Sequence, residues 1–242
     1  MERRDLLKAF VGGVASVGLI NIAGSASAEA QANKNATEPL ENNNTKGSVM
    51  KKYDNDYFYK DGVFQQDKAF AAYYEMFEEM GYSLTDSLRS NVDFWVTDFG
   101  LGDFANVGMG GIFFFNDKEY RYFGHDIYLL PGQMIPEHRH EAAEGLPAKH
   151  ESWQVRHGSI FNFSHGGEKT PQVLALLPKS QLDANGVTCF NYRFMNVGEQ
   201  DRLGKVAAPH FMIAGSDGAI VTEYACYHSP DGLRFTNPAA HP

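Results

Sequence analysis

Two cysteines in 242 residues cannot build a disulfide scaffold or a thiolate-rich metal site; at most Cys189 and Cys226 close one bridge. Positive charge is also scarce. Against 30 Asp plus Glu stand 21 Lys plus Arg, a formal net charge of -9 that speaks against nucleic acid or anionic lipid as the main partner. A membrane anchor needs roughly 20 strongly apolar residues, and the most apolar stretch is shorter and diluted by Gly, Ser and Asn, so none is expected. There is no internal repeat, no G-x-G-x-x-G and no phosphate loop, which leaves nucleotide binding without support. What the chain does have is 43% hydrophobic residues, 18 Phe, 12 Tyr and 24 Gly, enough for one full-sized core and more typical of a sheet protein than of a helix bundle.

The first residues read as an address. Arg3 and Arg4 precede Leu6, Leu7 and Lys8, a mildly apolar run follows over 9–23, and Ala26-Ser27-Ala28 supplies small residues for cleavage. Residues 1–28 are thus expected to be an export signal of the twin-arginine type, the alternative being an ordinary secretory signal that holds two arginines. Either way the protein is expected in the periplasm or outside the cell. Residues 29–50, rich in Asn, Ala, Glu and Thr without a period, read as a solvated linker, and 51–242 as the domain.

Within the domain, Phe70, Tyr73, Tyr74, Phe77 and Met80 recur at helical spacing, predicting one helical region over 64–88 with Gly81 as a stop. Beyond Val92 the pattern changes to short apolar or alternating runs between Gly, Pro, Asn and Asp. Strands are expected at 94–97, 111–115, 120–130, 134–140, 151–157, 159–163, 172–177, 189–196, 210–214 and 219–227. Such spacing predicts a mainly β fold, an antiparallel sandwich or barrel with an N-terminal helical segment.

One constellation carries chemistry. Alternate side chains of a strand share a face, so His138 and His140 stand about 7 Å apart on one side, close enough to converge on one metal at bonds of about 2.1 Å. Two carboxylates follow. Glu144 lies in a loop of Ala, Gly and Pro; Glu151 opens an alternating strand in which Glu151, Trp153, Val155 and His157 share a face. A carboxylate on a row with Trp and Val is out of place unless it is paired or ligates a cation.

These residues resemble the cupin family, whose first motif runs Gly, five residues, His-x-His, a gap, Glu, six residues, Gly. Gly132, His138, His140, Glu151 and Gly158 fit, apart from a ten-residue gap between His140 and Glu151 that is longer than in most cupins. Gly204, five residues and then Pro209-His210 is a looser match to the second motif and supplies a third histidine. The long gap, its Gly145-to-Lys149 loop, and the tail with Pro209-His210-Phe211, Glu223 and Arg234-Phe235-Thr236-Asn237-Pro238 are similar to the D-lyxose isomerase group of cupins. The resemblance implies a jelly-roll fold, a small-molecule sugar substrate and a homodimer.

It also implies one divalent metal ion on His138, His140, Glu151 and His210. Such a donor set suits Mn, Fe, Co, Ni or Zn, and the resemblance favours manganese. The reaction implied is aldose–ketose interconversion, on D-lyxose and D-xylulose or D-mannose and D-fructose, by proton transfer through an enediolate. Glu223, in a mostly apolar strand that should raise its pKa, is the candidate base. Lys149 is a candidate to hold or protonate a sugar oxygen, and Arg234 and His157 are candidate substrate contacts. His125 reads as a satisfied core or surface histidine; His150, His165, His228 and His241 read as exposed. Two rivals keep the fold: an Fe(II) dioxygenase, and a non-enzymatic periplasmic protein that binds sugar or metal.

Overall fold

The structure, a computed structural model, describes residues 50–89 and 93–242. The export signal expected over 1–28 and the linker expected over 29–50, save its last residue, lie outside the described residues. No helix among the described residues is long and apolar enough to cross a membrane.

The domain opens with a short helix α1 (Asn55–Phe58), whose first turn is closed by the Asp54 carboxylate accepting from the Tyr57 N–H at 3.1 Å. The two-residue strands β1 (Tyr59–Lys60) and β2 (Val63–Phe64) lead into helix α2 (Gln66–Glu79). Ala69, Ala72, Tyr73, Met76 and Phe77 form its buried stripe at three- and four-residue spacing. Gly81, at φ +64°, ends it: the Tyr82 N–H donates to the Phe77 carbonyl and the Gly81 N–H to the Glu78 carbonyl. The helix expected over 64–88 is therefore shorter, and α3 (Asp86–Arg89) is a separate turn beyond the stop.

Among the described residues, nine strands form one antiparallel sheet. They are β3 (Phe94–Thr97), β4 (Met109–Asp117), β5 (Tyr122–Leu129), β6 (His138–His140), β7 (Glu151–Ser164), β8 (Asn191–Asn196), β9 (Gln200–Arg202), β10 (His210–Cys226) and β11 (Leu233–Phe235). One path runs β11-β6-β10-β5-β4-β3, while β7 pairs with β10, β8 and β9. The strand pairs 151–157 with 159–163, and 210–214 with 219–227, each prove to be single long strands, β7 and β10. Both carry glycine where the sequence suggested a break. Gly158 is at φ +67°, and a Cβ there would meet the Gly218 carbonyl oxygen at 2.0 Å; the register slips between Ala214 and Ala219. The β7–β10 ribbon bends there, so that residues far apart along it face one interior.

The sheet has two covered faces. Trp95, Ile127, Leu129, Trp153, Val155, Ala219 and Val221 point inward. Phe94, Tyr128 and Ile220, one residue out of phase, point outward onto α2, whose Tyr73 and Phe77 pack on Phe94 and Tyr128. The run expected as a strand at 172–177 is helical instead. Thr170 caps α4 (Pro171–Leu174) through the Val173 N–H, and α5 (Lys179–Asp183) follows; Val173 and Leu177 pack with Met134, Phe163 and Phe211 at one end of the barrel.

Glu137 ties that end to the rest. Fully buried, its carboxylate accepts from Thr188 N–H (2.7 Å), Thr188 Oγ1 (2.6 Å), Cys189 N–H (2.8 Å) and Thr236 Oγ1 (2.6 Å). Glu137→Ala would orphan these donors in a sealed site, and is expected to cost about 3 kcal/mol or more in urea unfolding. A loss under about 1 kcal/mol would show that water replaces the carboxylate there.

Candidate metal centre and active site

β6 is only three residues long, yet it is fixed from both sides. His138 lies in register with His210 of β10, and β11 pairs with all three β6 residues. Its alternation aims His138 and His140 inward and Arg139 outward. The ten residues between His140 and Glu151 carry the chain across to β7 through a tight turn in which Ala143 and Leu146 exchange backbone hydrogen bonds. Glu144 stays on that loop at φ +51°, half-exposed, beside Lys118 and Ser229. Glu151 is the carboxylate that turns inward, 1% exposed.

His138, His140, Glu151 and His210 each present one ligand atom, and all of these lie within 4.8 Å of one another. His140 Nε2 is 2.8 Å from Glu151 Oε1, and His210 Nε2 is 2.7 Å from Oε2. Glu151 Oε1 thus faces His140 and the Lys149 ammonium, and Oε2 faces His210. Three imidazoles and a carboxylate crowded together in a sealed pocket are groups that a cation would satisfy. The Nδ1 atoms of His138 and His210 each sit 3.0 Å from a backbone carbonyl, of Pro136 and Ala208 respectively, so donation from there turns both Nε2 atoms toward the centre. Burial, aided by the neighbouring imidazoles, pushes the His138 pKa down. Burial pushes the Glu151 carboxyl up, but Lys149 and His210 outweigh it and hold the group well below the usual carboxylate range. Three imidazoles and one carboxylate fit a divalent transition-metal ion.

Beside the cluster opens a cavity of about 260 Å³. Trp95, Phe99, Phe113, Phe123 and Phe235 wall it, and its polar groups are few: Thr97, His125, His138, His140, Lys149, Glu223 and His228. Lys149 and Glu223, each expected in the site, are brought together. The Lys149 ammonium is hydrogen-bonded to Glu223, stands 2.9 Å from Glu151 Oε1 and lies 4.4 Å over the Phe123 ring. On its other side Glu223 Oε2 is 3.1 Å from His125 Nε2, in a cross-strand pair, Glu223 opposite His125. The expectation that burial raises the Glu223 pKa is corrected. Burial does push it up, but the Lys149 ammonium, with His125, outweighs that and holds the carboxyl below its ordinary range.

Two expected substrate contacts are not in the cavity. In β7 an extra residue, Arg156, slips the register so that His157 faces Ile220 while Val155 faces Val221. That bulge turns His157 to the outer face, where its ring packs edge-on against Tyr82. Arg234 is the outward residue of β11; its guanidinium donates to the Asp231 and Leu233 carbonyls and lies near Glu141. Arg234→Ala is expected to leave KM within about twofold of wild type, as for an exposed residue away from the site. A tenfold rise in KM would return it to the site.

Two histidines read as bland do line the cavity. His125 shares its row with Ile127 and Leu129, and Phe113 stacks on it at 5.5 Å; alternation along β5 was the available signal. His228 packs edge-on to His140, and its pKa is pushed down to about 3 by burial, with Lys149 and His140 adding to it. Its backbone is held by Asn116 through a hydrogen bond each way. No local pattern announces that long-range clasp. His150, His165 and His241 are exposed, as expected, and Cys189 and Cys226 are free thiols.

No family model matches the chain. It is 32% identical over 165 residues to a D-lyxose/D-mannose isomerase of Thermosediminibacter oceani, a match covering 68% of this chain and 87% of that protein. Identity is also 32% over 164 residues to a D-lyxose ketol-isomerase of Cohnella laeviribosi, covering 68% and 86%. Among solved structures, the L-ribose isomerase of Acinetobacter sp. DL28 with L-ribose superposes with a TM-score of 0.53 at 17% identity, over 72% of this chain and 92% of that one. Ligand-free L-ribose isomerase of Cellulomonas parahominis gives 0.52 at 16% identity, over 72% and 91%. At such identity the structural likeness is one of fold.

Proposed function

Because the chain belongs to the D-lyxose ketol-isomerase family and is a sugar aldose–ketose isomerase, we propose that it works as a metal enzyme on a free aldose, D-lyxose or D-mannose, by proton transfer. The observation that carries this reading is the convergence of three Nε2 atoms and the buried Glu151 carboxylate beside a cavity holding one paired Lys–Glu couple. His138, His140, Glu151 and His210 would hold a divalent ion, manganese being the first to test. Bound there, the ion would polarise the sugar carbonyl and offset charge developing on oxygen.

The chain's own groups supply the rest. Glu223, kept ionised by Lys149 and His125, takes the proton from C2 and returns it to C1. Lys149 donates to the oxygen on which charge accumulates, while its bond to Glu223 fixes the carboxylate's direction. Trp95, Phe99, Phe113 and Phe123 keep bulk water away from the enediolate. His228, neutral at working pH, offers a hydrogen bond to a hydroxyl.

The cavity also supports a substrate class. Room for about nine waters, at about 30 Å³ each, is close to the heavy-atom count of a pentose. No arginine is among the lining residues, and Lys149 is already committed to two carboxylates, so a phosphorylated sugar finds no free cation. The test is a panel of free and phosphorylated aldoses with the manganese-loaded protein under nitrogen. Turnover of D-lyxose or D-mannose to the ketose supports the reading. Turnover only with oxygen and iron would select the dioxygenase, and tight sugar binding without conversion would select the binding protein.

A further inference from the structure

Away from the histidine cluster, the cavity is bounded by the segment that follows β11. Ring contacts give the order: the His138 ring centre lies 6.2 Å from that of Phe235, and Phe235 lies 5.5 Å from Phe99, the second ring out from the cluster. The Phe99 carbonyl accepts from the His241 N–H at 3.1 Å, and Pro242 lines the cavity beside it. Phe99 sits at φ +55°, where bulky residues are rarely found, and its N–H donates to Thr97 Oγ1 at 3.0 Å. Gly100 follows at φ +68°. The His241 ring fills the space a side chain would take there, since a Cβ would meet Nε2 at 2.0 Å. The segment is anchored from within by Asn237, 3% exposed. Its Oδ1 accepts from the Ala239 N–H at 3.0 Å, its carbonyl from the Ala240 N–H at 3.1 Å, and its amide donates to Gln181 Oε1 at 3.3 Å. Ala240 packs on the inner core that contains Phe99.

We propose that residues 240–242 are a specificity-determining wall that limits how long a sugar the cavity admits. The proposal rests on the isomerase reading: with C1 and C2 of the aldose beside the histidine cluster and Glu223, its other end points toward Phe99 and Pro242. A pentose fills the cavity of about 260 Å³, so a sixth carbon falls where the wall stands. D-Lyxose and D-mannose isolate the effect, because they share configuration at C2, C3 and C4 and mannose is longer by one carbon. A pocket that closes on a single carbon discriminates by about 10- to 200-fold. Residues 240–242 belong to no strand or helix, so their loss leaves the pairing of the sheet intact and removes only what they hold at Phe99 and Gly100.

The test compares the wild type with a chain lacking residues 240–242 and with His241→Pro, which removes both the ring on Gly100 and the N–H that holds the Phe99 carbonyl. In each variant the lyxose-to-mannose ratio of kcat/KM should fall about tenfold or more, with the far-UV circular dichroism spectrum and manganese content unchanged. A second readout needs no turnover. Trp95 lines the cavity, and Trp153, the other tryptophan of the chain, is 3% exposed. Acrylamide should therefore quench the emission of both variants more strongly than that of the wild type. Quenching at the wild-type level in both variants would overturn the proposal, and so would stronger quenching with an unchanged sugar ratio. A wild type that turns over neither sugar would count instead against the isomerase reading, and the quenching comparison would still decide whether this segment closes the cavity.

Discussion

Glu223→Gln is expected to lower kcat by about 10²–10⁴-fold, the usual worth of a positioned general base, while leaving metal content and thermal stability near wild type. The substitution keeps the shape of the side chain and an acceptor for Lys149, but removes the one oxygen able to take a proton. His125 and Lys149 hold Glu223 from both sides in the native protein, so the amide has donors to receive it on one side and a cross-strand partner on the other. KM should move little, because the sugar's oxygens would be gripped by the ion and by Lys149 rather than by this carboxylate. A variant with wild-type kcat would take Glu223 out of the mechanism and leave His228 or His125 as the group to examine.

His140→Ala is expected to abolish turnover together with metal binding. His140 is 4% exposed and directs Nε2 to within 2.8 Å of Glu151; without it only His138, Glu151 and His210 of the cluster remain. A metal that binds only the folded chain stabilises it by about 2.7 kcal/mol at a concentration 100 times its Kd. Adding manganese to metal-stripped wild type should therefore raise Tm, and adding it to the variant should not. Equal shifts in both proteins would mean that the ion sits elsewhere.

Much of this site was legible because strand alternation is local. His138 and His140 at two-residue spacing, and Glu151 on a row with Trp153 and Val155, needed nothing beyond the pleat to be placed inward. The same rule failed for His157, since one extra residue in β7 turns everything after Val155 to the other face, and nothing in Val-Arg-His-Gly signals a bulge. Arg234 was misplaced for a simpler reason: its strand is three residues long, and its phase is set by pairing with β6 rather than by its own pattern. Gln172 to Leu177 read as a strand because a short apolar run suits either state, yet Thr170-Pro171 ahead of it was a helix-start signal that outweighs the run. The sign of the Glu223 shift was out of reach for a different cause. Its strand environment is apolar as expected, but the ammonium that reverses the effect comes from a loop 74 residues earlier.

The fate of the sugar's C2 hydrogen tests the proposed proton transfer most directly. When metal-loaded protein converts D-lyxose or D-mannose in deuterated water, deuterium is expected at C1 of the ketose, with both conversion and labelling stopped by a chelator and restored by manganese. Ketose formed with the substrate's own C2 hydrogen fully retained, or conversion indifferent to the chelator, would contradict it.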